Sequence, residues 1–212
     1  MIYVGKEIYS NITGVILSGG ESKRMGYEKS LLKIGDKTVI RIIAELMAEI
    51  FRKVVVSANE PEKYNFLNLP IIPDTHNNIG PLAGIYSGLV NSTTEKNFFI
   101  SCDLPMMKEE TIRYIINYQT EKKIAVPFFN EQTQYLCGIY SKSIIRNIED
   151  LIGNYRNNTG NNLKKVVGIK NLIEIVGAER IQDATFRFFN DDVFFNMNTP
   201  EDYEYVKKKY LI

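Results

Sequence analysis

The feature that most constrains this chain is the passage from a short apolar run into a glycine-rich, basic loop within residues 15–32. The apolar residues 15–17 are typical of a buried strand in a parallel sheet. The loop that follows carries paired glycines and three cations: Gly19, Gly20, Lys23, Arg24 and Lys29. Ligands of open α/β sheets bind where strands end, glycines let the backbone approach a phosphate, and cations neutralise it. The sequence therefore predicts a nucleoside triphosphate site here.

Two better-known glycine loops do not fit this stretch. A P-loop requires a lysine directly after its last glycine, whereas Gly26 is followed by Tyr27 and Glu28. The dinucleotide fingerprint G-x-G-x-x-G is also absent from the loop. A P-loop kinase or GTPase and a nicotinamide-dependent oxidoreductase are therefore disfavoured.

Polar residues also follow three later apolar runs. Residues 53–57 lead to Asn59, residues 71–72 lead to Asp74, and residues 97–101 lead to Asp103. A carboxylate at such a position suits a magnesium ion that neutralises phosphate oxygens during loss of pyrophosphate. On local context alone, a turn or a cap that ends the strand is the favoured interpretation of each of these three residues.

The remaining periodicity predicts one α/β domain over residues 1–212 with a mainly parallel sheet. Helices are predicted over residues 39–50, from Pro81 to about residue 89, from residue 112, over residues 142–152 and from Pro200. Further strands are predicted near residues 124–127 and 135–140. Residues 154–162 are predicted to form a mobile loop, which either closes over a phosphorylated acceptor or is an ordinary exposed loop. Residues 1–12 are predicted to form either an edge strand or a loose segment.

Composition removes several classes of function. A net charge of +1 argues against nucleic acid binding, and no apolar run is long enough for a membrane span or a secretory signal. We therefore expect a cytoplasmic protein. Cys102 and Cys137 resemble buried thiols more than a disulfide, and His76, the single histidine, is predicted to be a surface residue.

The glycine loop resembles the signature L-[AS]-G-G-x-S-x-R-M-G-x-[DE]-K-x-L of the molybdenum cofactor guanylyltransferase (MobA) family. The matching positions are Leu17, Gly19, Gly20, Ser22, Arg24, Met25, Gly26, Lys29 and Leu31. The chain departs from the commonest pattern at Ser18, where alanine is usual, and at Glu28, where aspartate is usual. Three later segments are similar to family motifs as well: Asp74 with residues 80–85, residues 102–105, and residues 193–202.

This resemblance implies a Rossmann-like, three-layer nucleotidyltransferase sandwich that transfers GMP from GTP to the terminal phosphate of molybdenum-bound molybdopterin. It implies Mg²⁺ as cofactor, with Asp103 as its ligand, and catalytic roles for Arg24, Lys29 and Asp103. The implied GTP-binding residues are Leu17, Ser18, Gly19, Gly20, Lys29, Asn59, Asp74 and Asp103. Asn196 and Asn198 are weaker candidates for the acceptor site, besides the role of Asn198 or Thr199 as a helix cap. Transient contacts with proteins that make or receive the cofactor also follow from the resemblance.

Other functions remain open at this point. A related enzyme could use CTP or act on a sugar phosphate, which nucleotide preference would reveal. A non-catalytic carrier of the molybdenum cofactor would bind that cofactor without releasing pyrophosphate.

Overall fold

The structure is a computed structural model that describes residues 7–19, 28–76, 79–158, 167–183, 185 and 187–210. In the described part of the chain the strands are β1 (Tyr9–Leu17), β2 (Lys33–Ile34), β3 (Lys37–Thr38), β4 (Phe51–Ser57), β5 (Ile71–Ile72), β6 (Lys96–Ser101), β7 (Ile124–Phe129), β8 (Gln132–Thr133), β9 (Cys137–Ser141) and β10 (Glu179–Ile181). The α-helices are α1 (Val39–Ile50), α2 (Pro81–Asn91), α3 (Glu109–Asn117), α4 (Ile145–Asn158), α5 (Ile169–Val176) and α6 (Pro200–Tyr210).

The central sheet has the strand order β10-β7-β9-β6-β1-β4-β5, and β8 pairs with β7. Strand β1 lies parallel to both β4 and β6, and β5 extends the parallel set beyond β4. Strand β9 runs antiparallel to its neighbours β6 and β7. The expected mainly parallel α/β sheet is therefore confirmed, with β9 as an antiparallel insertion.

Helices cover both faces of this sheet, which makes three layers. Alternate side chains of β1 point to opposite faces, so Ile16 packs with α1 and α3, whereas Val15 and Leu17 pack with α2 and α4. Both clusters contain residues with no exposed surface. The apolar run at residues 15–17 of β1 follows from this two-sided burial.

The carboxyl ends of four neighbouring strands are level with one another. Leu17 pairs with Ser57 of β4 on one side and with Ser101 of β6 on the other, and Ser57 pairs in turn with Ile72 of β5. Residues that follow these strands therefore leave the sheet along one edge, which we call the carboxyl edge.

Helix α2 begins at this edge and packs closely on the sheet. Gly80 precedes it with φ +61° and ψ −148°, a conformation open almost only to glycine. A Cβ placed on Gly84 would lie 2.9 Å from Leu17 Cδ2 and 3.0 Å from Ser57 Oγ. Glycine at position 84 therefore allows the helix to approach the ends of β1 and β4.

Two sequence expectations are corrected. Residues 9–12 do not form an edge strand or a loose segment, because they begin β1, which lies in the middle of the sheet. Residues 154–158 are not loop but the last part of α4. The buried Ile148 and Ile152 hold that helix against the core, and tertiary packing overrides the weak helix preference of asparagine. Residues 1–6 and 159–166 lie outside the described residues.

No helix in the described ranges is long and apolar enough to traverse a bilayer.

Candidate functional site

A cavity of about 900 Å³ opens at the carboxyl edge. Its floor includes Leu17, Ser18 and Gly19, which come from the end of β1. Helix α2 supplies one wall and the start of α5 another. The predicted residues Asn59 and Asp74 also line the cavity, so the structure brings the ends of β1, β4 and β5 together as the sequence predicted.

Asn59 and Asp74 form a reciprocal pair within this cavity. The Asn59 side-chain amide donates to Asp74 Oδ2 at 3.2 Å, and the Asp74 backbone N–H donates to Asn59 Oδ1 at 3.1 Å. Ser57 Oγ donates to the other carboxylate oxygen, Oδ1, at 2.9 Å. Two hydrogen bonds therefore fix the Asp74 carboxylate and a third fixes its backbone, while each carboxylate oxygen keeps lone pairs for a ligand.

Asp103 follows β6, two residues beyond Ser101, which lines the cavity. The chain is held there by a hydrogen bond from Cys102 N–H to the carbonyl of Leu17 at 3.0 Å. Asp103 Oδ1 is buried and has no hydrogen-bond partner among the residues that the structure describes. A buried carboxylate oxygen without a partner is costly unless a ligand satisfies it.

These donors fit a magnesium ion better than an all-protein metal centre. The described ranges contain no group of three or more His, Cys, Asp and Glu side chains arranged to hold a metal. Magnesium is usually bound by one or two carboxylates together with phosphate oxygens and water. One buried aspartate oxygen without a described partner matches the carboxylate part of that requirement.

The C-terminal segment reaches back to this edge. The backbone N–H of Met197 donates to the Asp103 carbonyl at 2.9 Å, and Lys29 Nζ donates to Asn198 Oδ1 at 2.8 Å. Asp202 accepts from the backbone N–H groups of Asn198 and Thr199, both at 2.8 Å.

The two predicted acceptor residues differ in their contacts. Asn198 contacts Lys29, as described above, whereas the Asn196 amide donates to the carbonyl of Phe194 in its own loop at 3.1 Å. The predicted cap of the last helix is confirmed, because Asp202 N–H donates to Thr199 Oγ1 at 3.2 Å and Pro200 opens α6.

A buried tyrosine is the part of the site that sequence reasoning missed. Tyr64 lies in a 3-10 helix, Pro61–Leu67, and is only 1% exposed. Its hydroxyl contacts Ser18 Oγ at 2.9 Å, Ser30 Oγ at 3.0 Å and Glu28 Oε1. Lys63 donates to the other Glu28 oxygen at 2.8 Å. The sequence between β4 and β5 has no hydrophobic periodicity that would have identified Tyr64 as a buried residue.

The environment sets the charges of this cluster. Burial, with a contribution from Glu28, raises the pKa of Tyr64 to about 12, so its hydroxyl remains protonated near neutral pH. Burial opposes ionisation of Glu28, but hydrogen bonds from Lys63 and Tyr64 outweigh it and lower the pKa of that carboxyl. The cluster is therefore a neutral tyrosine that donates to an ionised glutamate.

Sequence reasoning also missed the wall formed by residues 167–171. Val167, Gly168, Ile169, Lys170 and Asn171 line the cavity at the start of α5. The amphipathic run that begins after Gly168 could have indicated this helix, although nothing local places it over the strand ends.

His76 and the cysteines differ partly from expectation. His76 is half-buried and lines the cavity, where its ring lies 5.0 Å from that of Tyr86. Both cysteines are free thiols, as predicted. Burial raises the pKa of Cys102 and of Cys137 to about 12. The predicted site residues Gly20 and Arg24 lie outside the described residues.

A protein-family model, described as the MobA-like NTP transferase domain, matches residues 14–168. The chain belongs to this family. The matched range ends before Met197 and Asn198, so the C-terminal segment that contacts Asp103 and Lys29 lies beyond it.

Curated proteins of similar sequence carry the family's name. A "Probable molybdenum cofactor guanylyltransferase" from Pelotomaculum thermopropionicum is 34% identical over 90% of this chain and 89% of its own length. A "Molybdenum cofactor guanylyltransferase" from Syntrophotalea carbinolica is 28% identical over 91% of this chain and 89% of its own.

Solved structures support the MobA-type fold. The crystal structure of an Aquifex aeolicus protein superposes with a TM-score of 0.70 at 32% identity, covering 92% of this chain and 97% of that one. A molybdopterin-guanine dinucleotide biosynthesis protein A from Archaeoglobus fulgidus gives a TM-score of 0.75 at 20% identity, covering 93% and 97%. The three-layer nucleotidyltransferase sandwich is thus confirmed.

Proposed function

We propose that this protein is a Mg²⁺-dependent guanylyltransferase that transfers GMP from GTP to the terminal phosphate of molybdenum-bound molybdopterin and releases pyrophosphate. The observation that carries the proposal is the carboxyl edge itself. There residues 17–19 and the fixed Asp74 carboxylate line one cavity, and Asp103, whose Oδ1 has no described partner, follows the cavity-lining Ser101 by two residues. The C-terminal segment contacts both Lys29 and the backbone of Asp103. The names of the relatives supply the choice of donor and acceptor.

The reaction requires positioning more than proton transfer. An oxygen of the acceptor phosphate forms a bond to the α-phosphorus of GTP, and the bond from that phosphorus to the bridging oxygen breaks, so pyrophosphate leaves with the electron pair. A phosphate is already a nucleophile at neutral pH, so the step needs no general base. Lys29, together with Arg24, would neutralise the triphosphate, and the backbone of residues 17–20 would hold it.

Asp103 would hold the magnesium ion through its unpartnered oxygen. The ion supplies charge neutralisation on the phosphate oxygens. The hydrogen bond between Met197 and the Asp103 carbonyl keeps the backbone of that aspartate in place when a ligand arrives.

Asp74 suits recognition of guanine. A carboxylate can accept hydrogen bonds from the N1–H and the amino group of guanine together, and a site built for such bonds rejects a base that lacks these donors. Ser57 and Asn59 hold the carboxylate before the base binds, so little ordering remains to be done on binding.

The decisive experiment measures Mg²⁺-dependent pyrophosphate release with molybdenum-bound molybdopterin as acceptor and with GTP, CTP, ATP or UTP as donor. Turnover selective for GTP and abolished by a chelator supports the proposal. Turnover selective for CTP would assign a cytidylyltransferase instead. Cofactor binding without release of pyrophosphate from any nucleotide would indicate a carrier.

The proposal includes two further points that activity alone does not test. The donor GTP is a cytoplasmic nucleotide, which suits the cytoplasmic location expected from the sequence. The product must then pass to the enzymes that use it, so transient contacts with recipient proteins belong to the same proposal.

A further inference from the structure

The hydroxyl of Tyr64 joins both sides of the proposed phosphate-binding region. Ser18 follows β1 and lines the cavity, whereas Glu28 and Ser30 stand on either side of Lys29. All three side chains contact the one tyrosine oxygen. The residues on either side of Lys29, Glu28 and Ser30, are therefore both hydrogen-bonded to the Tyr64 hydroxyl.

The direction of each hydrogen bond to the Tyr64 hydroxyl follows from the number of protons available. A tyrosine hydroxyl has one proton to donate and two lone pairs with which to accept. Its proton goes to the carboxylate of Glu28, which can only accept when ionised. Ser18 and Ser30 must then both donate to Tyr64, so every hydrogen-bonding position of the hydroxyl is used.

The cluster is also buried and anchored. Ser18, Ser30 and Tyr64 are 6%, 3% and 1% exposed, so water does not readily replace their mutual hydrogen bonds. Lys63 fixes the other oxygen of Glu28. The two positions at which the loop departs from the commonest MobA signature, Ser18 and Glu28, are both partners of Tyr64.

The neighbours of Lys29 are fixed in this way, and its own ammonium group donates to Asn198 Oδ1. We propose that Tyr64 is a positioning residue, which sets the location of the Lys29 ammonium for the triphosphate by holding Glu28 and Ser30 to Ser18. This inference rests on the proposed role of Lys29 in nucleotide binding. It adds a residue that itself touches neither the nucleotide nor the metal.

The test is a double-mutant cycle between Tyr64→Phe and Lys29→Ala. Phenylalanine keeps the buried ring and removes only the hydroxyl. We expect Tyr64→Phe to raise KM and Kd for GTP about tenfold, with a smaller fall in kcat, because Lys29 is displaced from its position. In a Lys29→Ala background the same change should have almost no further effect on the Kd for GTP, because Tyr64 acts through Lys29.

The matched control is Tyr9→Phe. Tyr9 is also buried, and its hydroxyl also hydrogen-bonds, to Asn117, but it lies at the opposite end of β1. This control should lower Tm and leave KM for GTP unchanged. Ser30→Ala serves as a milder second variant if Tyr64→Phe does not fold, and it should raise the Kd for GTP in the same direction.

The outcomes separate this inference from the proposed function. If the wild-type protein binds GTP but releases no pyrophosphate, the proposed reaction is wrong, and the Kd values still test Tyr64. If Tyr64→Phe only lowers Tm, as Tyr9→Phe does, or if its effect adds fully to that of Lys29→Ala, the positioning role is overturned. If the wild-type protein binds none of the four nucleotides, both ideas fail.

Discussion

Two polar clusters on the same central strands differ in how completely their hydrogen bonds are satisfied. Toward the amino end of β6, Thr13, Ser92 and Thr94 bond to one another at 2.8–3.1 Å, and Asn97 donates to the Thr94 carbonyl. At the carboxyl edge, Asp103 retains a buried oxygen without a described partner, and Asp74 faces a cavity. The first cluster uses its polar groups to hold strands together, whereas the second retains capacity for a ligand.

The sharpest test of this difference is Asp103→Asn. We expect pyrophosphate release to fall by at least about 100-fold, because the magnesium ion loses its proposed carboxylate and with it several kcal/mol of charge stabilisation. The free energy of unfolding should not fall, since the replaced oxygen has no described protein partner. Steady-state kinetics and thermal unfolding measure the two effects. A variant that keeps normal turnover would remove Asp103 from the mechanism.

Gly84→Ala tests whether the cavity depends on the close approach of α2. The new Cβ would crowd the side chains of Leu17 and Ser57, so either the helix or these buried side chains at the strand ends must shift. We expect a loss of about 1–3 kcal/mol in the free energy of unfolding, together with a higher KM for GTP.

The matched control for that change is Gly153→Ala in α4, where a Cβ would meet no described atom within 4 Å. Alanine should stabilise this helix position by about 0.5–1 kcal/mol and leave the kinetics unchanged. Equal effects of the two substitutions in denaturant titrations and kinetics would contradict the assigned packing role of Gly84.

Thr13→Val tests the first cluster, in which Thr13, Ser92 and Thr94 hydrogen-bond to one another. Valine has nearly the shape of threonine but leaves Ser92 and Thr94 without one of their partners. We expect the free energy of unfolding to fall by about 1–2 kcal/mol, while kcat and KM stay at their wild-type values. A change in KM would show that this end of the sheet communicates with the carboxyl edge.

The smallest expected change in stability concerns Asp183, whose two carboxylate oxygens both accept hydrogen bonds. It accepts from Thr185 and from the backbone N–H groups of Phe188 and Phe189. Burial works against its ionisation, but these hydrogen bonds lower its pKa. Its stabilising contribution is therefore present above its unfolded-state value, near 4, and is lost as the pH falls through the lowered folded-state value.

Asp183→Asn should accordingly cost about 1 kcal/mol at neutral pH and make unfolding less dependent on pH below about 4. Denaturant titrations of both proteins between neutral and acidic pH measure this difference. An unchanged pH profile would show that another carboxylate controls acid stability.

Local patterns predicted β1, β4, β5, β6, β7 and β9, five of the six α-helices in the described part of the chain and the shared edge, because parallel strands after a glycine loop have few possible arrangements. The short strands and α5 were not predicted. The carboxylates Asp74 and Asp103 were predicted correctly at the ends of strands. The pairing of Lys29 with Asn198 was not predictable, since it joins residues 169 positions apart through tertiary packing. Tyr64 escaped notice for the same reason: its partners become neighbours only when the sheet and the 3-10 helix have formed.

The contacts of the C-terminal segment have a consequence for the protein's synthesis. Met197 secures Asp103, and Asn198 holds Lys29, so two parts of the site depend on residues translated near the end of the described chain. The glycine loop and all strands of the parallel set emerge from the ribosome well before them. Nucleotide capture by a nascent chain should therefore begin only after residues 197 and 198 have emerged and reached these partners.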